Sequence, residues 1–168
     1  TPVDVRTRST LALLAQISQE PCFDQLRTKE QLGYLVFSGV RKSIGIMGFR
    51  VIIQSERDAR YLEGRIDAFF DYLLGLVERM DATEFEAHRV SLIHKLLESP
   101  KNLAEETNRF WLSIQSGYYD FAHRSRDAAM LRKLSKDDVL HMLRTKVHPS
   151  SRERAKLVVR LQSQVPAP

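Results

Sequence analysis

The sequence predicts an α+β fold, with helices packed on one face of a small antiparallel or mixed sheet. Three observations carry that prediction. Four of the seven glycines fall between Gly33 and Gly48, around two runs of strand character. The chain after residue 55 shows apolar residues at helical spacing, interrupted by capping signals rather than by further strands. A length of 168 residues with 43% apolar side chains is enough for one packed domain.

The first helix is expected over residues 10–20, with Leu11, Leu14 and Ile17 on one face and Pro21 interrupting it. Residues 22–31 read as a second, short helix with Phe23 and Leu26 inward, closed by Gly33. Residues 34–42 and 46–54 read as strands joined by a turn at residues 42–45. In the second strand Met47, Phe49, Val51 and Ile53 alternate with Arg50 and Gln54. Ser55–Asp58, Asp81–Glu84, Asn102–Glu105 and Ser135–Asp138 have the spacing of capping boxes. Leu62, Ile66, Phe69, Leu73, Val77 and Met80 form the core stripe of a long helix. Phe85, Leu92 and Leu96 serve the next, which stops at Ser99-Pro100. Leu103, Phe110, Trp111, Ile114 and Tyr118 are expected to serve a third. Shorter helices follow over 127–133 and 136–147, the latter with Val139, Leu143 and Val147 aligned. A last strand is expected after Ser151, with Leu157, Val159 and Leu161 on one side and Lys156 and Arg160 on the other. Residues 163–168 read as a frayed tail. Three strands make a thin sheet, so residues 1–168 read as one domain whose first strand is missing, a piece of a larger protein.

Lys and Arg number 26 against 21 Asp and Glu, a net charge of +5. The excess lies at the two ends, densest from Arg144 to Arg160, where no aromatic accompanies it. Nucleic-acid binding through that stretch is a weak rival, because base stacking and readout need such side chains. No apolar run approaches the roughly 18 residues of a membrane span. One cysteine, Cys22, excludes an internal disulfide and Cys-rich zinc sites. Cys22 reads as a buried, inert thiol, although a helix start would lower its pKa. None of the five histidines has metallopeptidase spacing, and His94 with Glu98 would supply only two ligands, so no metal site is expected in this chain.

The segment from Pro21 to Tyr34 carries the one chemical signal. A helix runs into a strand across Gly33, placing Arg27 near the helix end and Tyr34 at the strand start. Five guanidinium donors and a phenolic hydroxyl could together hold a peptide carbonyl or an oxyanion forming on it. Pairing of Arg27 with Glu30, and a half-buried Tyr34, is the plainer alternative.

The stretch EPCFDQLRTKEQLGYLVFSG at 20–39, followed by GFRVIIQS at 48–55 and YLEGRIDAF at 61–69, resembles the C-terminal part of zinc metallopeptidases of the insulysin/pitrilysin family, fungal members included. The match is dense over 18–70 and looser to about residue 162, and the turn at Val40–Ile44 departs from it. The resemblance implies a metallohydrolase fold of the processing-peptidase kind. Such enzymes have four homologous domains around a peptide-sized chamber, with an H-x-x-E-H zinc motif in the first. This chain is similar to the fourth, which is catalytically silent by itself. No catalytic residue or cofactor is therefore expected here; zinc is expected in the catalytic domain. Arg27 and Tyr34 match the residues that hold the substrate carbonyl, and Phe23 matches an apolar wall residue of the same pocket. The implied partners are a peptide substrate, the zinc-bearing N-terminal half of the same polypeptide and a second copy in a homo-oligomer, with no nucleic acid and no membrane. The lone cysteine and the absence of a membrane-span-like run make a reducing cytoplasm or organelle matrix the expected setting. The alternative within the fold is a structural or assembly module with no peptidase role.

Overall fold

A computed structural model describes residues 4–43, 45–115, 117 and 119–161. Helix α1 spans Val5–Cys22, with Asp4 as its N-cap accepting from the Thr7 amide. The stop expected at Pro21 does not occur. The chain continues helically through the proline, and over Phe23–Lys29 its hydrogen bonds widen to i→i+5 spacing, a π turn. Pro21 has no amide to donate to the carbonyl one turn earlier, and the Phe23 amide is shared between the carbonyls of Gln19 and Glu20. Cys22 is thus mid-helix and buried, not at a helix start. Burial pushes its thiol up to about 11. In the folded chain Cys22 is expected to resist a maleimide at pH 8 and to react once denatured; rapid labelling of the native chain would contradict this burial.

Strands β1, Leu35–Ser43, and β2, Ile46–Gln54, form an antiparallel hairpin in which Leu35 lies opposite Gln54 and Ser43 opposite Ile46. Ile44, within the expected turn, lies outside the described residues. The inward row of Val36, Phe49, Val51 and Ile53 packs on α1 and on helix α2, Ala59–Arg79. The outward row, with Leu35, Phe37 and Ile52, is uncovered. Helices therefore lie on one face of a small antiparallel sheet, as the pattern predicts.

The long stripe of α2 is buried as expected at Leu62, Phe69, Leu73 and Val77, with Met80 just past its end. The capping signals hold with one adjustment: Asp58, rather than Ser55, caps α2, accepting from the amides of Arg60 and Tyr61. Asp81 caps α3, Ala82–Leu97; Asn102 accepts from the Glu105 amide at the start of α4, Leu103–Gln115; Ser135 and Asp138 close a full capping box on α6, Lys136–Met142. Helix α5 spans His123–Leu131. Residues Leu143–Val147 continue α6 as a second π turn, burying Leu143 and Val147. At the centre, α1 touches β1, α5, α6 and α3. Arg8 of α1 reaches Asp127 of α5 at 2.6 Å in a largely buried ion pair.

Two further expectations are corrected. The apolar residues of α4 are not core: Leu103 is 77% and Trp111 58% exposed, Phe110 and Ile114 are also exposed, and the one buried residue of that helix is Ser113. Tyr118 lies outside the described residues. The second correction is the last strand. Among the described residues, the segment from Arg152 to Leu161 makes no sheet pairing. It is tied instead to α2 by charge: Arg154 to Asp67 at 2.9 Å, Lys156 to Glu63 at 2.7 Å and to Asp67 at 2.8 Å, and Arg160 to Glu63. Leu157, Val159 and Leu161 do share a side, but it is the solvent side. Residues 163–168 lie outside the described residues.

These ion pairs absorb the basic stretch. Arg144 meets Glu78 at 2.7 Å and Lys146 meets Glu153 at 2.5 Å, so every cation of 144–160 except Arg152 has a carboxylate partner. Hydrogen bonds from Arg160 and then Lys156 hold Glu63 down to about 2. Its folded pKa lies below the unfolded value, so its contribution is present above about 4.5 and lost as pH falls towards 2. Side-chain carboxyl NMR should place its titration midpoint near 2. The double variant Lys156→Ala, Arg160→Ala should return it towards 4.5, and an unchanged midpoint would break the assignment of these contacts.

Candidate functional site

The π turn places Phe23 and Arg27 one turn apart, and four groups fix where that turn ends. The Glu30 amide donates to the Gln25 carbonyl, and the Leu32 amide reaches back to Leu26. Gln31 takes the left-handed conformation, with φ of 50°, in the place where a glycine was expected to end the helix. Gly33 has a different task. A Cβ on it would sit 2.1 Å from the Gln54 carbonyl oxygen, so the residue is small to let the junction press against the end of β2.

Glu30 does not pair with Arg27. Arg65 of α2 grips it with two hydrogen bonds of 2.6 and 2.8 Å, and the Gln25 amide adds a third of 2.8 Å. The Arg65 hydrogen bonds are the main reason that the Glu30 carboxyl lies below its usual range. The result is a clip between the π turn and α2.

Arg27 is thereby left to the junction. Its Nε donates to the Tyr34 backbone carbonyl at 3.1 Å, and among the described residues its terminal nitrogens have no acceptor. Tyr34 is 85% exposed, directly ahead of β1 and not half-buried, and Phe23 is 54% exposed. The structure thus brings Arg27 to the Tyr34 backbone and leaves both polar tips facing outward. Chemically, the junction presents a guanidinium, a charged donor, and on the residue whose carbonyl it holds an exposed phenol, a neutral one. Supporting roles for Arg65 and Glu30 were not foreseen, since their partnership spans 35 positions.

Among the described residues, no three His, Cys, Asp or Glu side chains gather as a metal ion would require, and no helix is long and apolar enough to cross a membrane. Residues 13–111 match the family described as PQQ synthase PqqF-like, C-terminal lobe domain 4. The chain belongs to this PqqF-like family. Two relatives show the same kinship for the PqqF-like domain described here. It is 40% identical to the insulin-degrading enzyme of Drosophila melanogaster over 94% of this chain and 16% of that protein. It is 38% identical to the A-factor-processing enzyme of Saccharomyces cerevisiae over 98% of this chain and 16% of that one. Its fold superposes on the crystal structure of pitrilysin with a TM-score of 0.74 and 27% identity, covering 84% of this chain and 16% of pitrilysin. The expected kinship with the C-terminal domain of the insulysin/pitrilysin peptidases is thereby shown. The PqqF-like domain spans about 16% of the length of these curated relatives.

Proposed function

We propose that this domain is the substrate-holding wall of a zinc metalloendopeptidase that degrades or processes peptides, facing a zinc site carried by the N-terminal half of the same polypeptide. Among the described residues no cluster of His, Cys, Asp or Glu would hold a zinc ion, and in this reading the metal and the base come from the N-terminal half. The observation that carries the reading is the state of Arg27: one nitrogen is spent on the Tyr34 carbonyl, and the terminal nitrogens are left for a ligand beside an exposed tyrosine.

In this reading the Arg27 guanidinium and the Tyr34 hydroxyl donate to the carbonyl oxygen of the bond to be cut. Charge on that oxygen rises as the carbonyl carbon becomes tetrahedral, so these donors bind the transition state more strongly than the substrate. Phe23 covers an adjacent apolar side chain of the peptide. Tyr34→Phe removes the hydroxyl and keeps the ring. In the full-length enzyme it is expected to lower kcat/KM on a quenched fluorescent peptide by about ten- to a hundredfold, mostly through kcat. A loss carried wholly by KM would assign the hydroxyl to ground-state binding instead.

A further inference from the structure

The outward face of the hairpin contains an arginine that no carboxylate among the described residues neutralises. Arg50 lies in the outward row of β2, opposite Gly39 and diagonal to Phe37, whose own partner is Ile52. Its guanidinium carbon stands 5.2 Å from the centre of the Phe37 ring. Gly39 makes that posture possible: a Cβ there would meet Phe37 Cζ at 3.1 Å, so a larger residue would push the ring away from Arg50. Arg50 Nε is buried with no acceptor, and among the described residues no carboxylate reaches the side chain. The outward row runs from Leu35 through Phe37, Gly39 and Arg41 to Ser43 on β1, and from Ile46 through Gly48, Arg50 and Ile52 to Gln54 on β2; it contains no acid. A cation with a buried, unsatisfied nitrogen on an apolar, acid-free face calls for an anion from elsewhere.

Its position says which anion. Gln54 lies opposite Leu35, beside Tyr34, and Arg50 is four residues further along β2. At about 3.3 Å per residue, that is roughly 13 Å, the reach of about four residues of extended peptide. We propose that Arg50, laid on Phe37, is a specificity residue that receives an acidic side chain of the peptide about four residues from the carbonyl held by Arg27 and Tyr34. This rests on the substrate-holding reading above. Leu35 and Ile52, between the two points, would line the intervening apolar side chains of the peptide.

The test uses the full-length peptidase and four quenched fluorescent peptides. They are identical except for one Glu or one Lys placed four residues before or after the scissile bond. The wild-type enzyme is expected to prefer Glu over Lys by about five- to tenfold in kcat/KM at one of the two positions. The preference should shrink in 0.5 M NaCl, where the screening length is a few ångströms. Arg50→Glu should reverse it, and Arg50→Lys should keep only part of it, because lysine loses the flat stacking on Phe37. A ratio that Arg50→Glu does not move overturns the proposal. So does an equal fall for both members of each pair together with a lower Tm, which would assign Arg50 to contact with another part of the polypeptide. Arg27→Ala run in parallel separates the two readings: it should lower all four peptides alike. If it spares all four while Arg50→Glu still reverses the ratio, the carbonyl-holding reading fails and the acidic-residue site stands.

Discussion

Replacing Arg27 by Ala in the full-length enzyme is expected to lower kcat/KM on short peptides by about a hundredfold or more. That is the scale on which removal of one donor from a developing oxyanion acts. Two consequences of the geometry separate this result from simple destabilisation. Arg27 is only partly buried and makes a single hydrogen bond, to Tyr34, so its removal should leave Tm within a few degrees of the wild type. Lysine should also fail as a substitute. An ammonium could satisfy either the Tyr34 carbonyl or the substrate, whereas the guanidinium reaches both from one rigid fork. Arg27→Lys is therefore expected to stay at least tenfold below wild type. Cleavage by Arg27→Ala within twofold of wild type would end the proposed function.

The second large effect belongs to Gly33. In Gly33→Ala the new methyl would lie 2.1 Å from the Gln54 carbonyl oxygen and 2.9 Å from its carbon, both backbone atoms at the end of β2. Backbone in a paired strand cannot step aside as a flexible side chain can, so the junction itself must move. A cost of about 1–3 kcal/mol is the usual range for such overpacking, which corresponds to roughly 3–10 °C in Tm for a domain of this size. The same displacement carries Tyr34 and the carbonyl that anchors Arg27. Activity measured well below Tm should therefore fall by more than the loss of folded protein explains. Gly64→Ala supplies the contrast. Gly64 sits inside α2 with nothing within 4 Å of a new Cβ, so alanine there should raise stability by up to about 1 kcal/mol through helix propensity. Equal effects at the two glycines would contradict the close approach at Gly33.

Where interactions are local, the sequence was a good guide. The stripe of α2 is legible because 3.6-residue spacing needs no knowledge of the partner surface, and the caps at Asp81, Asn102 and Ser135 because their bonds close within three residues. The hairpin follows from alternation around a turn. Misreadings arise where a distant group decides. Periodicity shows that Leu103, Phe110 and Ile114 share a side of α4, but not whether anything covers it. Leu157, Val159 and Leu161 alternate as a strand does, yet the acidic row of α2 determines which side of that segment is held. Glu30 is three positions from Arg27 and was the obvious partner, but a residue on another helix takes it. The Arg27–Tyr34 pair itself was visible only as a juxtaposition across a glycine; the bond that orients it is to the tyrosine's backbone, which carries no sequence signal.

That bond has a thermodynamic consequence. An arginine loses about 2 kcal/mol of rotamer entropy when it is ordered. Because the Tyr34 carbonyl holds Nε across a separation of only seven residues, part of that loss is incurred as the chain folds, before any peptide arrives. In the proposed role, a peptide that binds orders its own backbone against a donor already aimed. On that proposal, the arrangement would convert a little folding stability into affinity for the carbonyl that enters.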